Sequence, residues 1–199
     1  MINKESLINF FKLLNQKAKD HHDDFNSLDG QLGDGDLGIT LTNGIEEIYN
    51  YKNNFENDIG KIFLLCAKLF TKVSSSSFGT LTAISFLTLG KLYKDKEEIE
   101  DIKIVEGLEQ IIKAISARGK SNLEDKTALD SINEIVVSIK SNPDDDLGII
   151  AYEASKNALD KFKGKHCKIG RARMFEEKSK ELDDPGMYAL CVLSSIFKK

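Results

Sequence analysis

Three carboxylates lie close together in a glycine-rich segment of the chain. The segment LDGQLGDGDLG (residues 28–38) carries Asp29, Asp34 and Asp36 among four glycines. Crowded carboxylates repel one another, and a bound cation relieves that repulsion. Because the cluster offers only oxygen ligands, with no Cys or His, it favours a hard cation, Mg²⁺ before Zn²⁺. The segment therefore predicts a magnesium site, and a solvated acidic turn is the alternative that the residues leave open.

A loop is the predicted conformation of this segment. On one continuous helix, at about 100° per residue, Asp34 would point about 140° away from Asp29, and each glycine would cost about 1 kcal/mol. An EF-hand loop does not fit, because counting from Asp34 places Gly38 fifth and Ile45 twelfth, where a carboxylate is required.

Size and composition predict one cytoplasmic domain. The 199 residues contain no low-complexity linker, so a single domain over residues 1–199 is expected. A net charge of −4 gives no basic stripe, so nucleic acid is not an expected partner. The sequence shows no signal peptide and no apolar stretch approaching about 18 residues, so no membrane association is expected. Cys66 and Cys191 stand in apolar runs, which predicts reduced thiols in the core.

Apolar residues recur at helical spacing along eight segments, and no useful length of chain alternates as a half-buried strand does. The pattern predicts an all-α fold, an eight-helix up-and-down antiparallel barrel or bundle. The predicted helices cover about residues 4–20, 38–51, 57–72, 78–94, 101–117, 127–140, 146–163 and 185–197.

The connections between these helices differ in composition. The second, fourth and sixth are short or merely charged, whereas the odd-numbered ones hold nearly all the Gly-, Ser- and Asp-rich motifs. In an up-and-down bundle all odd-numbered connections lie at the same end, so these four are predicted to converge on one site. The competing interpretation is that loops collect Gly and Ser in any bundle. The four motifs are LDGQLGDGDLG, VSSSSFGT, ARGKSNLEDKTALD and GKHCKIGRARMFEEKSKELDDPG.

Three of these connections carry groups that suit phosphates. Ser74–Ser77 lead into an apolar helix, where hydroxyls and backbone N–H groups hold an anion or simply cap the helix. The fifth and seventh connections add the cations Arg118, Lys120, Lys126, Lys168, Arg171 and Arg173. These side chains bind phosphate oxygens or are only solvated. With the acidic cluster, the inventory fits a nucleotide polyphosphate with Mg²⁺ better than a peptide or a sugar.

The chain resembles the L subunit, the nucleotide-binding domain, of dihydroxyacetone kinases. The segments LDGQLGDGDLG, SARGKSNLEDKTALD and GRARMFEEKSKELDDPG stand in the same order and at similar separations as in that family. The resemblance spans nearly the whole chain and implies an eight-helix antiparallel barrel with the nucleotide site at one end. It implies ADP or ATP and two Mg²⁺ ions as cofactors.

The resemblance also assigns residues. It implies that Asp29, Asp34 and Asp36 coordinate Mg²⁺ bridging the nucleotide phosphates. The residues implied to line the nucleotide site are Leu37, Gly38, Ile39, Thr40, Ser76, Ser77, Gly119, Ala128, Arg171, Asp184, Pro185 and Gly186. The chain departs from the family pattern at Leu37, where His is usual, and at Ser74–Phe78, where Gly-Gly-Ala-Ser-Gly is usual.

By this resemblance the chain is a kinase subunit that transfers phosphoryl from Mg-bound nucleotide to a small ketose. It has no room for a separate α/β domain, so a dihydroxyacetone-binding kinase subunit is the expected partner. Either a phosphohistidine protein of a sugar phosphotransferase system or ATP supplies the phosphoryl group, and a homodimer stays open. The alternatives are a non-catalytic nucleotide-sensing regulatory subunit, motivated by Leu37 and Phe78, and a helical interaction module whose acidic loop is only solvated.

Overall fold

The computed structural model describes residues 1–198, and this part of the chain holds ten α-helices and one short antiparallel sheet. The sheet pairs β1 (Ile2–Asn3) with β2 (Glu98–Ile99). The helices are α1 (Lys4–Asp20), α2 (His22–Leu32), α3 (Leu37–Asn50), α4 (Ile59–Val73), α5 (Ser77–Leu92), α6 (Ile104–Gly119), α7 (Ala128–Ser141), α8 (Leu147–Phe162), α9 (Glu176–Glu181) and α10 (Pro185–Ser194). The predicted all-α fold is confirmed.

Several helices begin at residues whose side chains accept backbone N–H groups of the first turn, which satisfies donors that the helix itself leaves unpaired. The residues that cap helices in this way include Asn3, Asp58, Ser76, Thr127 and Asp184. At α10 the cap is followed by a proline in the first turn, where the missing N–H costs nothing.

The helices form a closed ring. α1 packs against α3, and from α3 to α8 each helix packs against the next; α8 then packs against α10, which contacts α1 and α2. α2 continues α1 after a break at His21, and α9 lies within the connection from α8 to α10. Eight positions around the ring therefore match the eight predicted helices, and α2 and α9 are the additions.

Aromatic rings fill the interior of the ring. The Phe86 ring lies 6.1 Å from Phe11, 6.3 Å from Phe63 and 6.2 Å from Phe70, measured between centroids. These side chains come from α1, α4 and α5, so helices distant in sequence share one core. Burying large apolar side chains supplies the main stabilisation of such a ring, at about 25 cal/mol per Å² of apolar surface.

The cysteines are free thiols, as predicted, but their burial differs from the prediction. Cys66 is fully buried in the core. Cys191 is only partly buried and lines a surface groove beside Lys17 and Tyr152, so its predicted core position is wrong. Cys167, by contrast, is 1% exposed. The apolar run around Cys191 belongs to α10, whose outer side remains accessible.

α2 replaces part of the predicted loop. The helix runs through Leu32, so Asp29 and Gly30 are helical and the loop prediction is wrong for them. Phe25 and Leu32 on this helix are fully buried, and that burial offsets the cost of the helical glycine. The chain reverses only at residues 33–36, where Gly35 adopts a φ of +74°.

The end of the ring that carries the even-numbered connections is closed by backbone contacts. Here β1 pairs with β2, and the N–H of Ile59 donates to the carbonyl of Lys96 at 2.7 Å. Within residues 1–198 none of the helices has the length and apolar character needed to cross a membrane. The opposite end is formed by residues 33–36, 74–76, 120–127 and 163–184, and we refer to it as the site end.

Candidate metal centre

Asp29, Asp34 and Asp36 converge although they lie in different local structures. Asp29 lies in the last turns of α2, Asp34 in the turn that follows, and Asp36 immediately before α3. One oxygen from each side chain lies within 4.8 Å of the other two. The backbone N–H of Asp36 donates to Oδ2 of Asp29 at 3.0 Å, which fixes the turn against the helix. The predicted proximity of the three carboxylates is therefore present.

The electrostatics of the cluster suit a cation. Partial burial raises the pKa of Asp29 above its ordinary value, and the charges of Asp34 and Asp36 add to the increase, against two backbone hydrogen bonds that lower it. A cation among the three would reverse the effect of the neighbouring charges. Arg171 forms an ion pair with Asp34. Both of these side chains are exposed, so the pair itself contributes about 0–1 kcal/mol.

The three carboxylates fit Mg²⁺ in number, type and spacing. Oxygens on opposite sides of one Mg²⁺ lie about 4.2 Å apart, because each bond is about 2.1 Å long. Three ligands include at most one such opposite pair, and neighbouring ligands of an octahedral Mg²⁺ lie about 3.0 Å apart. A separation of at most 4.8 Å therefore needs a closure of up to about 1.8 Å, which rotation of the side chains supplies. Mg²⁺ takes few protein ligands and keeps water or phosphate oxygens at its other positions, so three carboxylates suffice.

The start of α3 is held by a residue that the sequence did not reveal. Oδ1 of Asn26 accepts the N–H groups of Gly38 at 2.7 Å and Ile39 at 3.3 Å. Nδ2 of Asn26 lies 3.1 Å from Nε2 of His22, whose Nδ1 lies 3.2 Å from Oγ1 of Thr42. His22 and Asn26 are one helical turn apart, so their relation could be found only once α2 was recognised.

Ser76 joins the second odd-numbered connection, between α4 and α5, to the start of α3. Its Oγ accepts the N–H of Gly79 at 3.0 Å, which caps α5, and also the hydroxyl of Thr40 at 2.9 Å. Ser77 is the exposed first residue of α5. The serine run therefore caps its helix through Ser76 and leaves the Ser77 side chain at the surface.

The starts of α5, α7 and α10 meet closely. A Cβ atom on Gly186 would lie 3.1 Å from Cε2 of Phe78 and 3.2 Å from Cβ of Ala128. Oδ1 of Asp184 accepts the N–H of Met187 at 2.9 Å and caps α10. Burial raises the pKa of Asp184 to about 6. Pro185, the first residue of α10, is buried beside this cap.

The remaining predicted site residues are placed differently. Leu37 packs in the hydrophobic core. Gly119 ends α6, where an added Cβ would lie 3.9 Å from Leu81 of α5. Lys126 is 2% exposed, so the prediction that it offers a cation to phosphate is wrong. The other predicted cations are exposed, namely Arg118, Lys120, Lys168, Arg171 and Arg173.

Direct contacts join all four odd-numbered connections. Thr40, in the first turn of α3 directly after the first connection, donates to Ser76 of the second, and Asp34 of the first connection pairs with Arg171 of the last. The N–H of Lys168 donates to the carbonyl of residue 125 at 3.0 Å, which links the last two. The predicted convergence on one end of the ring is therefore observed.

A closed antiparallel ring of helices with a carboxylate cluster at one end defines the class of this domain. The chain belongs to the DAK2 domain family, which it matches over residues 31–199. The resemblance drawn from the sequence motifs is thereby confirmed.

The chain is similar to two curated bacterial subunits along most of its length. It is 27% identical over 179 residues to the PEP-dependent dihydroxyacetone kinase 1, ADP-binding subunit DhaL, of Listeria innocua serovar 6a (89% of this chain, 87% of that one). It is 28% identical over 193 residues to the PTS-dependent dihydroxyacetone kinase, ADP-binding subunit DhaL, of Lactococcus lactis subsp. lactis (94% and 92%).

A solved structure supports the same fold. The dihydroxyacetone kinase from C. freundii in complex with AMP-PNP and Mg²⁺ superposes with a TM-score of 0.74 at 22% sequence identity. The match covers 95% of this chain and 32% of that longer chain. The helical ring found here is therefore a fold shared with part of a larger protein.

Proposed function

We propose that this chain is the ADP/ATP-binding subunit of a dihydroxyacetone-type kinase, which transfers phosphoryl from Mg-bound nucleotide to a small ketose held by a partner subunit. The observation that carries the proposal is the approach of three carboxylate oxygens within 4.8 Å of one another, at the end where four connections meet. The two relatives that are 27% and 28% identical, both named as ADP-binding subunits, support it.

In this proposal Asp29, Asp34 and Asp36 would hold two Mg²⁺ ions at the nucleotide phosphates. Bound Mg²⁺ supplies neutralisation of the charge on the transferred phosphoryl group. Arg171 pairs with Asp34, and in the loaded site its guanidinium would be available to bind a phosphate oxygen. No protein nucleophile is required, because positioning and charge stabilisation carry phosphoryl transfer.

The nucleotide itself would lie across the site end. Hydroxyls at Thr40, Ser76 and Ser77 offer hydrogen bonds, and small residues at the helix starts and ends let the ligand approach the backbone closely. The residues that we assign to the nucleotide are Leu37, Gly38, Ile39, Thr40, Ser76, Ser77, Gly119, Ala128, Arg171, Asp184, Pro185 and Gly186.

A partner subunit is needed to present the ketose. Exposed apolar side chains occur in and beside the site end: Ile39, in the first turn of α3, is 48% exposed, and Leu123 and Met174 are 44% and 70% exposed. Apolar exposure around a polar site is typical of a surface that another protein covers. We propose a dihydroxyacetone-binding subunit as that protein. Two relatives are named PEP-dependent and PTS-dependent, which supports a phosphotransferase system as the source of the phosphoryl group. We propose that a phosphohistidine protein of such a system rephosphorylates the bound nucleotide in the cytoplasm.

Reconstitution with a purified dihydroxyacetone-binding subunit tests the proposal. With Mg²⁺ and either ATP or a PEP-driven phosphotransferase system, the wild-type chain should support phosphorylation of dihydroxyacetone. Asp34→Asn should reduce the rate by about a hundredfold or more, because a metal ligand is lost. Asp23→Asn, an exposed carboxylate on α2, is the matched control and should retain the rate. Equal rates for the two variants would refute the metal assignment.

Phe78 favours a second candidate, a nucleotide-sensing regulatory subunit. Phe78 stands where the family pattern usually has glycine. Its ring lies against the start of α10, since a Cβ atom added to Gly186 would be 3.1 Å from Cε2 of Phe78. Such a ring narrows the space between the helix starts. Nucleotide-dependent binding to a partner without any phosphoryl transfer in the same reconstitution would support this candidate over the kinase.

A further inference from the structure

Lys126 occupies an unusual environment beneath the site end. Its side chain is 2% exposed, and Nζ donates to the carbonyls of Lys165 at 2.8 Å, Ser179 at 2.7 Å and Leu182 at 2.8 Å. An ammonium has three protons, so all three are used. A buried charge is tolerated only when it is hydrogen-bonded in this way.

The three carbonyls belong to separate points along residues 163–184. Lys165 follows α8, Ser179 lies in α9 and Leu182 follows α9. One side chain therefore gathers the beginning and the end of the longest connection at the site end. The N–H of Cys167 donates to Oγ of Ser179 at 3.0 Å, which adds a second cross-link within this connection.

Few apolar contacts could replace this polar attachment. The apolar cluster of this connection comprises Leu32, Cys167 and Ala172, with Leu182 packed against it. Ala172 follows Arg171, the residue that faces Asp34. The position of Arg171 therefore depends on how firmly residues 163–184 are attached to the ring.

Lys126 and two residues near it have left-handed backbone conformations, which are strained for residues other than glycine. Lys126 has a φ of +60°, and Lys120 and Glu124 in the same connection have φ values of +54° and +72°. Left-handed backbone is unfavourable for residues other than glycine and persists where the surrounding contacts hold it. The ammonium and its three acceptors are such contacts.

We propose that Lys126 is a positioning residue, which attaches residues 163–184 to the connection between α6 and α7 and thereby holds Arg171 opposite the carboxylate cluster. Because its side chain is buried, Lys126 acts without touching the nucleotide. Arginine cannot replace it, since a planar guanidinium cannot direct three donors from one atom at three converging carbonyls. The effect of Lys126 on nucleotide affinity rests on the proposed function, whereas its attachment of residues 163–184 to the ring does not.

Hydrogen-exchange mass spectrometry tests the attachment. In Lys126→Met, which keeps an unbranched side chain out to the ε carbon but loses the ammonium and its donors, exchange over residues 164–182 should accelerate by about tenfold or more, with α1 and α3–α5 unchanged. Lys126→Gly also removes the ammonium, and glycine adopts the left-handed backbone without strain. It should show the same acceleration and replaces the methionine variant in the experiment if that variant does not fold. Lys178→Met, an exposed lysine of α9, is the control and should behave as wild type. Wild-type exchange over residues 164–182 in either Lys126 variant would overturn the proposal.

A double-mutant cycle tests the positioning role. Calorimetric titration of Mg-ADP should show about tenfold weaker binding for Lys126→Met and for Arg171→Met, and little further loss when the two are combined, because one acts through the other. Fully additive losses, or unchanged affinity in Lys126→Met, would overturn the role. If wild type does not bind Mg-ADP at all, the proposed function fails, while the exchange experiment still decides whether the attachment exists.

One spectroscopic readout separates this role from a general loss of structure. The Lys126 charge lowers the pKa of Asp184, which burial otherwise raises, and Asp130 of α7 acts in the raising direction. Removing the ammonium should therefore move the Asp184 titration upward from about 6, as followed by ¹³C NMR of its carboxyl group. An unchanged midpoint in Lys126→Met would contradict the placement of the ammonium.

Discussion

At the scale of single residues, Asp184 couples the start of α10 to pH. Its pKa of about 6 lies above the ordinary 3.8 because burial disfavours the charged form. A group whose pKa is raised on folding stabilises the fold fully below the unfolded pKa, and that contribution is lost as the pH rises through the folded pKa. For Asp184 the loss falls between about pH 4 and pH 6 and amounts to about 3 kcal/mol.

Asp184→Asn should remove this loss, because an amide stays neutral and its oxygen can still accept the N–H of Met187. In urea denaturation without Mg²⁺, the variant should match wild type near pH 4 and exceed its free energy of unfolding by about 2–3 kcal/mol near pH 7.5. Asp29 and Asp130, whose pKa values burial also raises, remain in both proteins. Parallel pH curves for variant and wild type would show that Asp184 does not titrate in this way.

Residue types alone pointed to part of the candidate site. Asp29, Asp34 and Asp36 were recognisable as a candidate cation site because crowded carboxylates repel one another unless a cation is bound. The sequence misplaced Lys126 among the phosphate-binding cations, since a lysine next to acidic residues in a charged connection carries no mark of burial. Asn26 was missed for a related reason, because its partners on α3 lie twelve and thirteen residues away. Patterns within a short stretch of sequence do not predict contacts between residues that only the fold brings together.

At the scale of elements, the contact between α2 and α3 depends on Gly38. A Cβ at this position would lie 2.1 Å from the carbonyl oxygen of His22 and 2.8 Å from Oδ1 of Asn26. The backbone oxygen cannot move without shifting α2. Gly38→Ala should therefore lower the free energy of unfolding by about 3 kcal/mol or more, measured by urea denaturation.

Gly119→Ala is the matched control for this substitution. An added Cβ at Gly119 would meet no atom nearer than 3.5 Å, and alanine is the better helix former. The control should change the free energy of unfolding by less than about 1 kcal/mol. Similar losses for the two variants would mean that the close approach of α2 and α3 is not what Gly38 provides.

The elements themselves were largely predictable from periodicity. Eight helices fell within three residues of their observed bounds, because each buries an apolar stripe that repeats at helical spacing. The exceptions are α2 and α9. α2 was missed because glycines and aspartates disfavour a helix intrinsically, whereas the burial of Phe25 and Leu32 outweighs that preference. α9 has six residues, too few for a periodic pattern.

At the scale of the whole molecule, the ring places the site at one end. Alternation of helix direction brings the odd-numbered connections together, so the sequence order of the motifs was enough to predict their convergence. The far end is fastened by the β1–β2 pair and by contacts between connections. The ring therefore separates a structural end from an end whose residues remain partly exposed and charged. The contact of α10 with α1 and α2 closes the barrel that the family resemblance implied, whereas helical periodicity alone could not predict it, because it joins the two ends of the sequence.

The central claim is that this end binds a nucleotide through a magnesium centre. Calorimetric titration of ADP into the metal-stripped protein, with and without Mg²⁺, tests it most directly. The proposed site predicts saturable binding in the presence of Mg²⁺ and its loss in the absence of the metal, because Asp29, Asp34 and Asp36 repel unneutralised phosphates. Absence of binding in both conditions, or equal binding without Mg²⁺, would contradict it.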